Sequence, residues 1–422
     1  MKKKIIKILL LAFIFRFVLA FITWHPDLNN HVDWGIRFWD YGPAKFYTAN
    51  VWSFTWPNQP PGTAYIFAGI YKLYQAIFAF FWKINISIPL FPSNIVTFLE
   101  ERGYQALLQL PAILADLGIA YLIYWMFKKK KKVKLGIFGA TLFLFNPIIW
   151  YNSAVWGQTD AIINFFALLA FVLLLEKKLM WAVLALLMSF YIKASLLIFA
   201  PVFAIIALRQ KYKLTEIAKS LAIPLLIIGT LTLPFSRGEP FGWLIGIYNK
   251  KVFIEQLQVI TANAFNIWAA ITGIHEQPHT LMWGPLTYQV WGLIIFGISL
   301  IYPIYLVFKK QDHKSVFWAL AIISFSSFML LTNMHERYLY PLFPVFTILV
   351  VMDKKLLPLY WAVSGLSLVN LYHFWWIPNI KWLINLLSAN DRLLPRILGF
   401  VNFGLFVNFY ARFLRLFKPA KL

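Results

Sequence analysis

Apolar runs of about 17 to 25 residues recur from near the N-terminus to the C-terminal region, each long enough to cross a bilayer core of roughly 30 Å as an α-helix. Nothing else in the chain restricts its fold so strongly. A backbone in hydrocarbon must satisfy its own N–H and C=O groups, and a helix does so within one segment. No polar block of domain size separates the runs, so residues 1–422 are expected to form a single membrane domain. A composition of 61% hydrophobic, 19% aromatic and only 13% charged residues excludes a soluble globular domain. The expected fold class is an all-α polytopic membrane protein with about 11–13 transmembrane helices. The Met-Lys-Lys-Lys start before an apolar run resembles a signal peptide, but residues 5–23 are long enough to span and no small-residue cleavage motif follows. A retained first helix is expected. With no cysteine, disulfides, thiol catalysis and thiolate metal sites are excluded together.

The net charge of +23 does not point to nucleic acid, because the basic residues punctuate the apolar runs instead of gathering on one face. Lys2 to Lys4, Lys128 to Lys132 with Lys134, Lys177-Lys178, Arg209 to Lys219, Lys309 to Lys314, Lys354-Lys355 and the Arg412 to Lys421 tail fall at alternate ends of successive spans. The positive-inside rule places these segments and both termini in the cytoplasm, and most carboxylates on the outer face. Residues 62–82 are apolar enough to span, but crossing there would put the 128–132 lysine block outside. The stretch 24–103 therefore reads as a large first outer loop whose short helices lie on or dip into the membrane, and 235–284 as a second large outer loop. The expected location is multi-pass, in the cell membrane of a prokaryote or the endoplasmic reticulum of a eukaryote.

Polar clusters mark four outer segments. The first is His25-Pro-Asp-Leu-Asn-Asn-His-Val-Asp-Trp34, where Asp27, His31 and Asp33 stand just outside the bilayer, followed by Trp56-Pro-Asn-Gln-Pro-Pro61 with Gln59. Asp27 reads either as a solvated loop acid or as a general base whose pKa is raised beside a lipid-facing pocket. The second, Asn146 to Asp160, joins Trp156, Gln158 and Asp160. Aromatic faces grip the C–H patches of a sugar and amides its hydroxyls, while Asp160 alone could be a helix cap. The third, Thr261 to Trp268, repeats the mixture with Asn263 and Asn266, and its alternative is an interfacial belt. The fourth is Asn333-Met-His-Glu-Arg-Tyr-Leu-Tyr-Pro341. Here Glu336 and Arg337 either pair to fix two helices, or His335 and Arg337 bind an anionic headgroup. Lys193 at an outer helix end neutralises a phosphate or snorkels. Arg16 and Asp116 are expected to form a structural pair within the spans.

Other chemistries lack support. There is no Walker loop, no dinucleotide-binding glycine motif and no serine nucleophile elbow. His275, Glu276 and His279 crowd one loop, but Pro278 between them spoils a helical ligand face, so no metal and no other cofactor is expected.

The order of motifs along the first loop resembles the GT-C superfamily of integral membrane glycosyltransferases. An early acid, Asp27, is followed by Trp34, by Gly42-Pro43 with Phe46-Tyr47, and by Pro60-Pro61 before Thr63-Ala64-Tyr65. The likeness is nearest to the glucosyl- and mannosyltransferases that draw on dolichyl or polyprenyl phosphate sugars, and it continues through Arg102-Gly103-Tyr104, Ala115-Asp116-Leu117 and His335-Glu336-Arg337. Gln59 stands where those relatives carry tyrosine, and Asp33 where they carry histidine. The resemblance implies a GT-C-like bundle and an inverting transfer of one hexose, mannose or glucose, from a polyprenyl-phosphate donor to the hydroxyl of a glycan or lipid-linked acceptor at the outer face. Asp27 would be the base, with His335, Arg337 and Lys193 at the donor phosphate. His31, Asp33, Gln59, Trp156, Gln158, Asp160, Asn263, Asn266 and Glu336 would line the sugar and acceptor sites. The partners implied are that donor, that acceptor and membrane lipid, with no nucleic acid. The rival reading is a flippase or transporter of a lipid-linked sugar, which needs a similar lining but essential residues along the whole path.

Overall fold

The computed structural model describes residues 2–255 and 257–417; Met1, Gln256 in the second large loop, and Lys418 to Leu422 of the basic tail lie outside them. The first third of the chain forms α1 (Lys2–Ile22), α2 (Leu28–Tyr41), α3 (Pro43–Phe46), α4 (Pro61–Ser87), α5 (Asn94–Phe98) and α6 (Tyr104–Lys129). Then come α7 (Val133–Leu144), α8 (Pro147–Tyr151), α9 (Asp160–Leu175), α10 (Leu179–Ile192), α11 (Ala200–Arg209) and α12 (Leu214–Ser236). Last are α13 (Pro240–Ile247), α14 (Ile267–Thr272), a two-stranded hairpin (Met282–Trp283 with Leu286–Thr287), α15 (Tyr288–Lys309), α16 (His313–Leu330), α17 (Leu342–Met352), α18 (Leu357–Tyr372) and α19 (Lys381–Leu416). The chain is all-α and polytopic.

Among the described residues, seven helices are long and apolar enough to cross a membrane, or eight if the bent 133–156 pair is one span. Four further apolar helices are shorter. The expected count of 11–13 spans exceeds the seven or eight helices long enough to cross, because several apolar runs form helices too short to do so. The short helices end where the sequence breaks the ladder: Asn146 caps α8 by accepting from Ile148 N at 3.2 Å, and Lys193 turns extended at the end of α10. At 1.5 Å per residue, the 16 residues of α9 reach only about 24 Å.

The region 62–82 differs from its expected form of several short helices. It is part of one unbroken helix of 27 residues, α4, long and apolar enough to cross. Its side chains meet α2, the start of α6 and the ends of α10 and α12: Thr63 donates to the Ile192 carbonyl and Tyr65 to the Leu231 carbonyl. Phe67 stacks on His31 of α2, Tyr71 and Tyr74 lie against Tyr104 at the start of α6, and Asn85 accepts from Ser93. A satellite core of Leu28, Trp34, Phe38, Phe67, Tyr104 and Phe235 joins α2 and α4 to the bundle and fixes where α2 begins. That start is Asp27.

Deeper down, the Arg16–Asp116 pair expected from the sequence is present, fully buried at 3.3 Å. Arg16 also donates to the Leu144 carbonyl at 2.6 Å, and the Tyr340 hydroxyl donates to Asp116. The pair therefore ties α1, α6, α7 and the approach to α17 together with its polar atoms satisfied, as burial in an apolar bundle requires.

Candidate active site

Asp27 occupies the N-cap position of α2, yet its carboxylate makes no capping bond there. It turns instead to the loop after α8. Trp156 Nε1 donates to its Oδ2 at 3.1 Å, Gln158 Nε2 donates to the same oxygen at 2.6 Å, and Asn30 Nδ2 donates to Oδ1 at 3.0 Å. Gly157 makes the double donation possible. At φ +74° it reverses the chain so that residues on both sides face one oxygen, and a Cβ there would lie 2.6 Å from Leu28 Cδ2 and 2.9 Å from Gln109 Cγ.

A layer of rings and cations covers the carboxylate. His25 stacks on Trp156 with centroids 4.4 Å apart and lies 4.7 Å from Trp375. Its Nδ1 accepts from Asp27 N at 3.2 Å. The Arg337 guanidinium lies 5.3 Å from the Trp156 ring and 5.6 Å from that of Tyr338. Arg337 donates from Nη1 to Glu336 Oε1 at 3.0 Å, and its buried Nε has no partner among the described residues. Trp375 Nε1 reaches the same Glu336 oxygen at 3.4 Å. The segment carrying these groups is held by the second large loop: Ala262 N donates to the Met334 carbonyl and Asn333 N to the Val259 carbonyl, both at 3.0 Å.

The electrostatics separate the two carboxyls. Burial disfavours an ionised Asp27, but the Arg337 charge, with His31, His25 and the Trp156 N–H, outweighs it and leaves the pKa below the ordinary value. The shift runs opposite to the expected raised pKa, and the reason is first the nearby charge of Arg337 and last the Trp156 N–H. Glu336 shifts the other way: burial lifts its pKa, opposed by Arg337 and reinforced by the charge of Asp27. The Arg337 guanidinium is penalised by burial, yet Asp27 and Glu336 hold it more firmly protonated than usual. Burial together with nearby charge brings the histidines down, His25 and His335 to about 3 and His31 to about 4. For His335, expected at a phosphate, burial is the main cause and the charges of Arg337 and Lys193 add to it, so the neutral ring is favoured.

Of the remaining expected site residues, Lys193 and Asp160 form a buried ion pair at 2.9 Å, with Lys193 Nζ also 5.2 Å from the Tyr338 ring. His31 stacks on Phe67 at 4.1 Å, and its buried Nδ1 has no partner among the described residues. Asp33 instead supports the loop: it pairs with Arg37 at 3.4 Å and accepts from Ser53 N at 2.9 Å. Gln59 accepts from Thr63, which also donates to the Ile192 carbonyl beside Lys193. Asn266 caps α14 by accepting from Ala269 N at 3.0 Å, and Asn263, at φ +60°, offers its carbonyl to Asn370. The Asn263 backbone bridges to His335, next to Glu336 and Arg337, whereas neither side-chain amide has a described bond to Asp27. His275 pairs with Asp391 and His279 with Gln258, each at 3.2 Å.

His25, Asn30, Tyr338 and Trp375 belong to the cluster although sequence reasoning assigned them no role. The dense aromatic run His373-Phe-Trp-Trp was the available signal for Trp375. No protein-family model and no curated protein matches the chain.

Proposed function

We propose that this protein is a GT-C-type glycosyltransferase that moves one hexose, mannose or glucose, from a polyprenyl-phosphate donor to an acceptor hydroxyl at the outer membrane face, with inversion. The supporting observation is the convergence of Trp156 and Gln158 on the Asp27 carboxylate, with the Arg337 guanidinium 5.3 Å from the Trp156 ring and its buried Nε without a partner among the described residues. Asp27 removes the proton from the acceptor hydroxyl. The acceptor oxygen bonds to the anomeric carbon as its bond to the phosphate oxygen breaks on the opposite face. The departing lipid phosphate is already an anion and needs no acid; Arg337 receives its charge. Trp156 and Trp375 offer flat faces for C–H patches of the sugar.

The test is transfer of radiolabelled mannose or glucose from synthetic polyprenyl phosphates to membrane-extract acceptors by the purified protein in detergent, with Asp27→Asn alongside. Transfer by the wild type, reduced roughly 10²–10⁴-fold in Asp27→Asn with donor binding retained, is the expected result. Scrambling of labelled lipid across vesicles without transfer of either sugar would replace the reading with that of a flippase.

A further inference from the structure

Trp156 is fully buried, so its ring has no face open to a ligand. His25 stacks on it at 4.4 Å, the Arg337 guanidinium stands over it at 5.3 Å, and Trp375 meets it edge-on at 5.7 Å. A sugar reaches that indole once one of the three withdraws. Two of them are anchored: His25 Nδ1 accepts from Asp27 N at 3.2 Å, and Arg337 pairs with Glu336 at 3.0 Å. Trp375 belongs instead to residues 373–380, which join α18 to α19 without helix or strand.

This connection is tied down mainly at its far end. Ile380 N donates to the Tyr372 hydroxyl at 3.1 Å, and the Tyr151 hydroxyl donates to the Ile377 carbonyl. Before those ties the chain closes on itself, with Trp376 N donating to the Tyr372 carbonyl at 3.0 Å. Phe374 and Trp376 sit at φ +80° and +57°, left-handed conformations that residues with a side chain adopt at a cost. Both ring nitrogens of His373 are buried without a partner among the described residues, so hydrogen bonds are left unmade at the base of the turn. Trp375 is held to the site by one long bond, from Nε1 to Glu336 Oε1 at 3.4 Å. The same oxygen accepts from Arg337 Nη1 at 3.0 Å, so Glu336 keeps a partner when the indole leaves.

We infer that residues 373–376 form a hinged cover, latched by the Trp375–Glu336 bond, which swings away from Trp156 so that the hexose of a lipid donor enters between the two indoles. The inference rests on the glycosyltransferase reading and deepens it. Glu336, expected among the sugar-lining residues, becomes a positioning residue for the cover.

Because the chain contains no cysteine, Phe374→Cys and Ile22→Cys, both at exposed positions, can carry a pair of spin labels on the full-length protein. The distance between them is measured in the empty protein and with polyprenyl phosphate, polyprenyl-phosphate mannose and polyprenyl-phosphate glucose, while quenching of tryptophan fluorescence reports binding. The expected result is one distance in the empty protein and with the sugarless lipid, and a shift of most molecules to a second distance with the preferred sugar donor. In Trp375→Phe, which keeps a ring and removes the latching N–H, the second distance is expected before any lipid is added. A sugar donor that binds without changing the distance overturns the cover, and an equal shift with the sugarless lipid overturns the sugar as the group that displaces it. If Trp375→Phe leaves the empty protein unchanged, the latch role of Glu336 is overturned. Binding of none of the three lipids overturns the glycosyltransferase reading instead, and Trp375→Phe then decides the cover by itself.

Discussion

Gly157 carries a geometric burden out of proportion to its size. It sits between the two residues that donate to Asp27, in the left-handed region, with Leu28 and Gln109 against it. Gly157→Ala is expected to cost about 1–3 kcal/mol of stability through backbone strain and the forced shift of its neighbours. It should also slow transfer, because Trp156 and Gln158 can no longer converge on one oxygen. A variant with wild-type melting temperature and rate would show that the convergence is unnecessary. At this scale the sequence was legible where scarcity made residues conspicuous. Asp27, Trp156, Gln158 and Arg337 stood out as polar groups in an apolar chain, and they come together. His25 and Trp375 could not be read, because their meaning lies in a ring contact between segments far apart in the chain. The direction of the Asp27 shift was also hidden: it depends chiefly on a guanidinium, and in part on an indole N–H, supplied by segments far along the chain.

Helices in this protein are joined by buried polar contacts, and these predict how elements respond to change. Arg16→Met leaves Asp116 in an apolar interior without its cation, supported only by neutral hydroxyls such as that of Tyr340, and should cost about 3–5 kcal/mol. Arg16→Met with Asp116→Leu removes the orphaned charge and is expected to recover most of that loss in thermal unfolding; a double variant as unstable as the single one would argue against a simple pair. This contact was foreseeable, since Arg16 in the middle of the first span and Asp116 in the second were charges of opposite sign set away from the span ends. The continuity of α4 was not. The lysine block at 128–132 bears on whether the segment crosses, not on whether it breaks, and between Gly62 and Ser87 the sequence holds no proline to interrupt it.

Across the whole molecule, four rings held as neutral imidazoles make stability depend on pH. His25, His31, His335 and His373 hold folded-state pKa values of about 3, 4, 3 and 3, below the ordinary 6.5, so the unfolded chain takes up protons that the folded one refuses. Their contribution is complete above pH 6.5 and declines as pH falls toward 4, by about 2 kcal/mol per ring at pH 5. Asp27, shifted below its ordinary 3.8, does not titrate in that window. Unfolding in detergent between pH 8 and pH 5 should show a steep loss of melting temperature, and a flat profile would mean that the rings are solvated. The membrane character of the chain was evident from its apolar runs, whereas the mixture of long and short helices was not, because hydropathy counts residues without recording where a cap or an extended residue ends a helix.

Arg337 also couples two events that a list of contacts keeps apart. The guanidinium that keeps the proton affinity of Asp27 low is the group a lipid phosphate would engage. Once an anion shares that cation, less of its field falls on the carboxylate, and Asp27 becomes the stronger base only while a donor is in place. Under the proposed glycosyl transfer, an empty site would be idle toward stray water, and turnover would follow a compulsory order with the lipid sugar entering before the acceptor.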